Sequence, residues 1–251
     1  MIDDSIFLKA LRKEKLPVPP IWYMRQAGRY MPEYRAVRKN FKNFLDMCKN
    51  PEVCCELALQ PIDAFKLDAA ILFSDILTIP DAFGLEVQFI ENEGPVFQNP
   101  IEKVADIGNL MPFDPESLSY VYEAVTNIKN ALPSNIPLIG FCGSPWTLAA
   151  YSIEGRSSKD FKKTIDFIKE NPDEAHLLLS KLTDACFLYL RKQVLAGADV
   201  IQIFDSWANL LESDDIKDFS MQYIESLILA LKQDPVTSKT PIILFFKRSK
   251  V

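Results

Sequence analysis

Five short apolar runs recur along the chain, at residues 21–24, 69–73, 137–141, 200–204 and 242–246. Each is continuous rather than alternating, which is the pattern of parallel strands covered on both faces. Between most of them lie stretches with a helical period, at 53–66, 118–132, 175–196 and 216–232. Asn50-Pro51-Glu52, Asp114-Pro115-Glu116 and Asn171-Pro172-Asp173-Glu174 each supply an N-cap, a proline for the first helical position and early acids. Gly197 stands where a glycine ends a helix. Strand and helix in alternation predict a parallel α/β fold. No internal repeat or linker divides the chain, so residues 1–251 read as a single domain.

The residues that follow each run narrow the choice. Met24 leads into Arg25-Gln26-Ala27-Gly28-Arg29, Phe73 into Ser74-Asp75, Phe141 into Cys142-Gly143-Ser144-Pro145-Trp146, and Phe204 into Asp205-Ser206-Trp207. Polar, Gly and Pro residues gather at the carboxyl end of strand after strand, where barrels and doubly wound sheets place their sites. No GxGxxG or Walker A pattern is present. That absence favours a (β/α)8 barrel and weakens a nucleotide-cofactor reading.

Composition adds exclusions. With 48% hydrophobic and 25% charged residues among 251, the chain is of ordinary globular type. Its apolar runs are too short to cross a membrane, and Met1-Ile2-Asp3-Asp4 carries acids where a signal peptide carries bases, so a cytoplasmic location is expected. The single histidine, His176, precludes a multi-His metal site and reads as a packing or surface residue. The five cysteines form no CxxC pair and read as reduced, buried small hydrophobes. The net charge of −6 conceals an asymmetry: residues 1–50 hold 11 Lys+Arg against 5 Asp+Glu, and the rest of the chain is acidic. A basic pocket for a small polyanion fits that distribution better than nucleic acid does.

Several residues can carry chemistry. Arg25 and Arg29 flank a small Gln26-Ala27-Gly28 turn that lets backbone approach a ligand. Two guanidiniums leaving one strand end suit bidentate capture of carboxylates, or a structural ion pair. Asp75 follows an apolar run, where an acid is paired, functional or a turn residue. Tyr151 is a rim hydroxyl or a core tyrosine, and Ser206 a hydrogen-bonding group at a strand end or a turn former.

These segments resemble the uroporphyrinogen decarboxylase family. Residues 21–34, from Ile21-Trp22-Tyr23-Met24-Arg25 to Met31-Pro32-Glu33-Tyr34, resemble its N-terminal signature, and 140–155 its second; Ile71 to Leu77 and Phe204 to Ala208 match two further motifs in order. The resemblance implies a TIM (β/α)8 barrel, usually homodimeric, that removes carboxyl groups from the four acetate side chains of uroporphyrinogen III to give coproporphyrinogen III, with no cofactor or metal. It implies that Arg25 and Arg29 bind carboxylates, that Gln26, Ala27 and Gly28 line the same site, that Asp75 faces the pyrrole N–H groups, and that Tyr151 and Ser206 contact substrate. The proton donor stays open between an arginine, a bound water and a substrate carboxyl.

Members of that family continue past the strand at 242–246, with three more strands and a late substrate-contacting histidine. The ending Lys247-Arg248-Ser249-Lys250-Val251 departs from their Lys-Gly continuation. About five of eight β/α units are therefore expected, in an incomplete barrel with unpaired edges. Two other readings follow from the same residues. One is an inactive remnant of the enzyme. The other is a related cobalamin-dependent methyltransferase barrel, which needs late His and Cys ligands, whereas this chain's last candidates are His176 and Cys186.

Overall fold

The computed structural model describes residues 2–24, 26–90 and 93–247. Its centre is a parallel sheet of four strands, β1 (Ala70–Ile71), β4 (Leu138–Gly143), β5 (Val200–Asp205) and β6 (Ile242–Phe246), in the order β1-β4-β5-β6. A separate antiparallel hairpin, β2 (Val87–Ile90) and β3 (Gly94–Phe97), lies in the β1-to-β4 connection. All six residues of β4 and five of the six in β5 are buried, as continuous apolar runs require. All five residues of β6 are only half-buried, and among the described residues β6 is a sheet edge. The sheet is thus an open part of a barrel.

One predicted strand did not form. Residues 21–24 join no ladder, and Ile21, Tyr23 and Met24 are exposed. Two hydrogen bonds tie the segment to the sheet: Ile21 N–H donates to Asp68 Oδ2 (2.6 Å), and Asp68 N–H to the Ile21 carbonyl (2.9 Å). The sheet therefore has four strands among the described residues, against the five expected. After β4 the chain enters a buried helix, Pro145–Glu154, with Ser144 as N-cap and Pro145 in its first turn.

The helix at Pro172–Leu195 shows how sequence becomes packing. Leu178, Leu182, Ala185, Tyr189 and Gln193 recur every three or four residues, so they share one buried stripe. Each buried leucine contributes roughly 1.5–3 kcal/mol. At its end Gly197 adopts φ +118°, and the Gly197 and Ala198 amides donate to the Val194 and Gln193 carbonyls, closing a Schellman motif. On the sheet's opposite face Ile139, Val200 and Ala69 pack on Phe7 and Leu8 of the short helix Ile6–Leu11.

β1 is short because a glutamine takes its place against β4. The ladder to β4 stops after Leu72 N–H donates to the Ile139 carbonyl. At the next step the fully buried Gln193 amide takes the partner's place, with Oε1 accepting from Phe141 N–H and Nε2 donating to the Phe141 carbonyl, both at 2.9 Å. On the outer edge of β1, Gln26 Nε2 donates to the Ala69 carbonyl (2.9 Å). Residues 73–75 are thereby released from pairing at the strand's carboxyl end.

This arrangement requires a glycine at 140, because a Cβ there would stand 2.5 Å from Gln193 Oε1. Gly140→Ala is expected to lower stability by about 1–3 kcal/mol in urea unfolding. Adding Gln193→Ala removes the clash, so the double variant should lose less than the sum of the two single losses.

Candidate functional site

The parallel register brings the strand ends onto one rim. Gly143, Phe204 and Phe245 form a row across β4, β5 and β6, and Asp205 pairs with Phe246 one step further on. Phe141 and Phe204 meet edge to face at 5.5 Å, and Phe204 and Phe245 at 6.0 Å, so aromatic rings floor this end of the sheet. The loop after β1 reaches the same rim: a Cβ on Gly143 would lie 3.5 Å from the Ile76 Cβ.

Asp205 organises the β4 and β5 ends. It is fully buried, and its Oδ1 accepts from Ser144 Oγ (2.8 Å) and Thr147 Oγ1 (2.9 Å) while its Oδ2 accepts from Ser220 Oγ (2.5 Å). Burial pushes the carboxyl above its ordinary range, and the three hydroxyls pull it back. The network fixes Trp207, whose amide donates to Thr147 Oγ1 (3.3 Å) and whose carbonyl accepts from Trp146 Nε1 (2.9 Å). Tyr151 is half-buried and packs on that Trp207 ring at 5.9 Å and on Phe161 at 5.6 Å. Ser206, also half-buried, lies between Asp205 and Trp207.

Asp75 organises the β1 side. Its Oδ1 accepts from Leu77 N–H (2.8 Å), and its carbonyl is within hydrogen-bond distance (3.2 Å) of Thr78 Oγ1, which also meets the buried Tyr189 hydroxyl at 3.3 Å. Among the described residues no cation is paired with Asp75. Burial pushes its carboxyl up to about 6, opposed by the Leu77 amide. Its charge is felt by the buried thiol of Cys48, which burial in turn raises well above the ordinary thiol range.

Arg29 is exposed, on a turn whose carbonyls at Arg29 and Tyr30 accept from Arg35 Nη1 at 2.8 and 3.1 Å. Tyr34, whose ring packs on Phe73 at 6.2 Å, is pushed above the ordinary tyrosine range by burial, with the Arg38 and Arg29 guanidiniums opposing it. Ala27 and Gly28 are half-buried there, and Ala27 packs with Met31 and Tyr34. Gln26 turns inward to the Ala69 carbonyl, and its carbonyl accepts from the Tyr30 hydroxyl. Arg25 and residues 248–251 lie outside the described residues.

Of the predicted residues, Tyr151 and Ser206 are brought together at Trp207, Asp75 stands on the loop after β1, and Arg29 is on the exposed turn before the helix Pro32–Arg38. A surface concavity of about 640 Å³ lies elsewhere, between the helices Pro32–Arg38 and Pro51–Ala64, and Glu33 and Glu56 line it. Its acids make it the wrong place for a polyanion. His176 is a packing residue, stacked on Phe219 at 4.8 Å with Nδ1 2.9 Å from the Tyr223 hydroxyl. The cysteines are free, and all but the half-buried Cys55 are buried. Asp205 had no role in the sequence reading, although it follows an apolar run just as Asp75 does.

A parallel β/α sheet with polar groups gathered at its carboxyl ends defines a barrel-type enzyme scaffold. A methyltransferase from Methanosarcina mazei superposes with a TM-score of 0.74 at 22% identity, over 96% of this chain and 68% of that one, a likeness of fold. The family model for uroporphyrinogen decarboxylase (URO-D) matches residues 3–250. The chain is 50% identical over 247 residues to a uroporphyrinogen decarboxylase of Legionella pneumophila (strain Corby), covering 98% of this chain and 70% of the relative. Those of Francisella philomiragia and Hydrogenovibrio crunogenus are equally 50% identical, over 245 and 247 residues. The chain belongs to the uroporphyrinogen decarboxylase family, whose members are carboxy-lyases. No helix among the described residues is long and apolar enough to cross a membrane.

The raised Asp75 value has a consequence for stability. The folded state holds the proton more tightly than the unfolded chain, so stability falls as pH rises from about 4 through 6. Asp75→Asn removes that loss. In denaturant titrations it should be more stable than the parent at pH 7.5, by on the order of 1–3 kcal/mol, with the difference gone below pH 4.

Proposed function

We propose that this chain binds uroporphyrinogen III at the carboxyl ends of its strands and decarboxylates its acetate side chains to methyls, giving coproporphyrinogen III. The carrying observation is Asp75, a carboxylate beyond the apolar β1 that accepts from the Leu77 amide and has no cation paired with it among the described residues. In this reading Asp75 accepts hydrogen bonds from the pyrrole N–H groups. Arg25 and Arg29 grip carboxylates, the Gln26-Ala27-Gly28 turn brings backbone close to them, and Tyr151 and Ser206 contact the macrocycle from the β4–β5 side.

The chemistry then follows from charge. Protonation of a pyrrole carbon makes the ring a cation and an electron sink. The bond between the acetate CH2 and its carboxylate breaks, CO2 leaves, and the electron pair flows into the ring. Protonation of the resulting exocyclic methylene gives the methyl, and loss of the ring proton restores the pyrrole. Each turn consumes one proton overall. A preorganised carboxylate beside the ring nitrogens stabilises the cation as it develops, which is worth more in a low-dielectric site than in water. Arginine clamps hold the reacting acetate in place. The ring proton comes from an arginine, a bound water or a substrate carboxyl. The proposed setting is a cytoplasmic homodimer.

Asp75→Asn keeps shape and removes charge. Uroporphyrinogen turnover, followed by chromatography of the oxidised porphyrins, should fall at least about a hundredfold in kcat, with the circular dichroism spectrum preserved. Unchanged turnover would refute the electrostatic role.

A further inference from the structure

The rim carries one more cation. Lys247 follows the last residue of β6, and its amide donates to the Asp205 carbonyl at 3.1 Å. The β5–β6 ladder therefore runs one step past the Asp205–Phe246 pair, and Lys247 falls opposite Ser206. Side chains alternate along a strand, so Ile243 and Phe245 point to one face of β6, and Gln202 and Phe204 to one face of β5. The register makes these a single face of the sheet. The ammonium stands over the Trp207 ring, 4.9 Å from its centroid, and that ring packs on Tyr151. Lys247 is exposed, and among the described residues no carboxylate is paired with it.

A lysine with no counter-ion among the described residues, on a chain of net charge −6, is a distinct feature. An aromatic face holds an ammonium in place while leaving its hydrogens available to an anion. We infer that Lys247 is a substrate-binding residue that takes a carboxylate of the macrocycle on the β5–β6 side. A cation there adds to the proposed arginines, so that the site can recognise a polycarboxylate by the spread of its charges as well as by their number. A compact ammonium on a flexible stem suits a carboxylate arm whose position changes as neighbouring acetates become methyls.

This inference rests on the reading of the rim as the porphyrinogen site, and the test separates the two. Binding of uroporphyrin, a stable octacarboxylate, is read by quenching of tryptophan fluorescence in the parent, Lys247→Gln, Lys247→Arg and Arg29→Gln chains at two salt concentrations. Lys247→Gln should weaken binding about tenfold and flatten its salt dependence, while Lys247→Arg keeps most of the affinity. The exposed position leaves folding intact, checked by circular dichroism. Weakening in Arg29→Gln with none in Lys247→Gln would overturn the role of Lys247 and leave the site standing. Parent-like binding in both would overturn the site itself.

Discussion

A buried carboxylate that must be satisfied on every side holds this rim together. Asp205 is removed from water at the end of β5, and an isolated charge there would be prohibitive. Three hydroxyls meet it: Ser144 at the end of β4, Thr147 in the helix that follows, and Ser220 in the segment beyond β5. One side chain thus ties three parts of the chain whose relative positions decide where Ser206, Trp207 and Tyr151 stand. Ser144 serves twice, since its Oγ donates to Asp205 and accepts from Thr147 N–H as the helix N-cap. Removing any member would leave a buried polar group without its partner.

The β1 side is built on the opposite principle. There, order comes from stopping the sheet early. Gln193 stands in for a strand against Phe141, and Gln26 covers Ala69 on the outer edge. The chain beyond Leu72 is free to turn, and Asp75 is delivered to the rim with, among the described residues, the Leu77 amide bonded to its carboxylate. One acid on this rim is fully satisfied and structural, and the other is left available. Their environments, more than their residue type, set that division.

Much of this was legible in the sequence. Continuous apolar runs mark β4 and β5 because a strand buried on both faces has no polar side to show, and the run at 242–246 forms β6 as well, half-buried at the sheet edge. Asn50 and Asp114 accept the amides expected of N-caps, and Gly197 takes the left-handed conformation its place after a helix demands. The run at 21–24 misled because an apolar stretch carries no information about whether a partner lies alongside it. The helix at Pro145–Glu154 was hidden by being buried all round, which erases the polar half of its period. The two glutamines could not be read at all, since their partners are backbone groups 43 and 52 residues away.

Sequence alone therefore determined the parallel β/α class, the family and the residue types at the strand ends, because each is written in local pattern or contiguous motif. Tertiary structure decided which acid is satisfied and which is available, how far β1 extends, and that Lys247 lies beside Ser206 and Trp207. Those outcomes depend on burial and on hydrogen bonds between distant segments, and neither exists until the chain has folded.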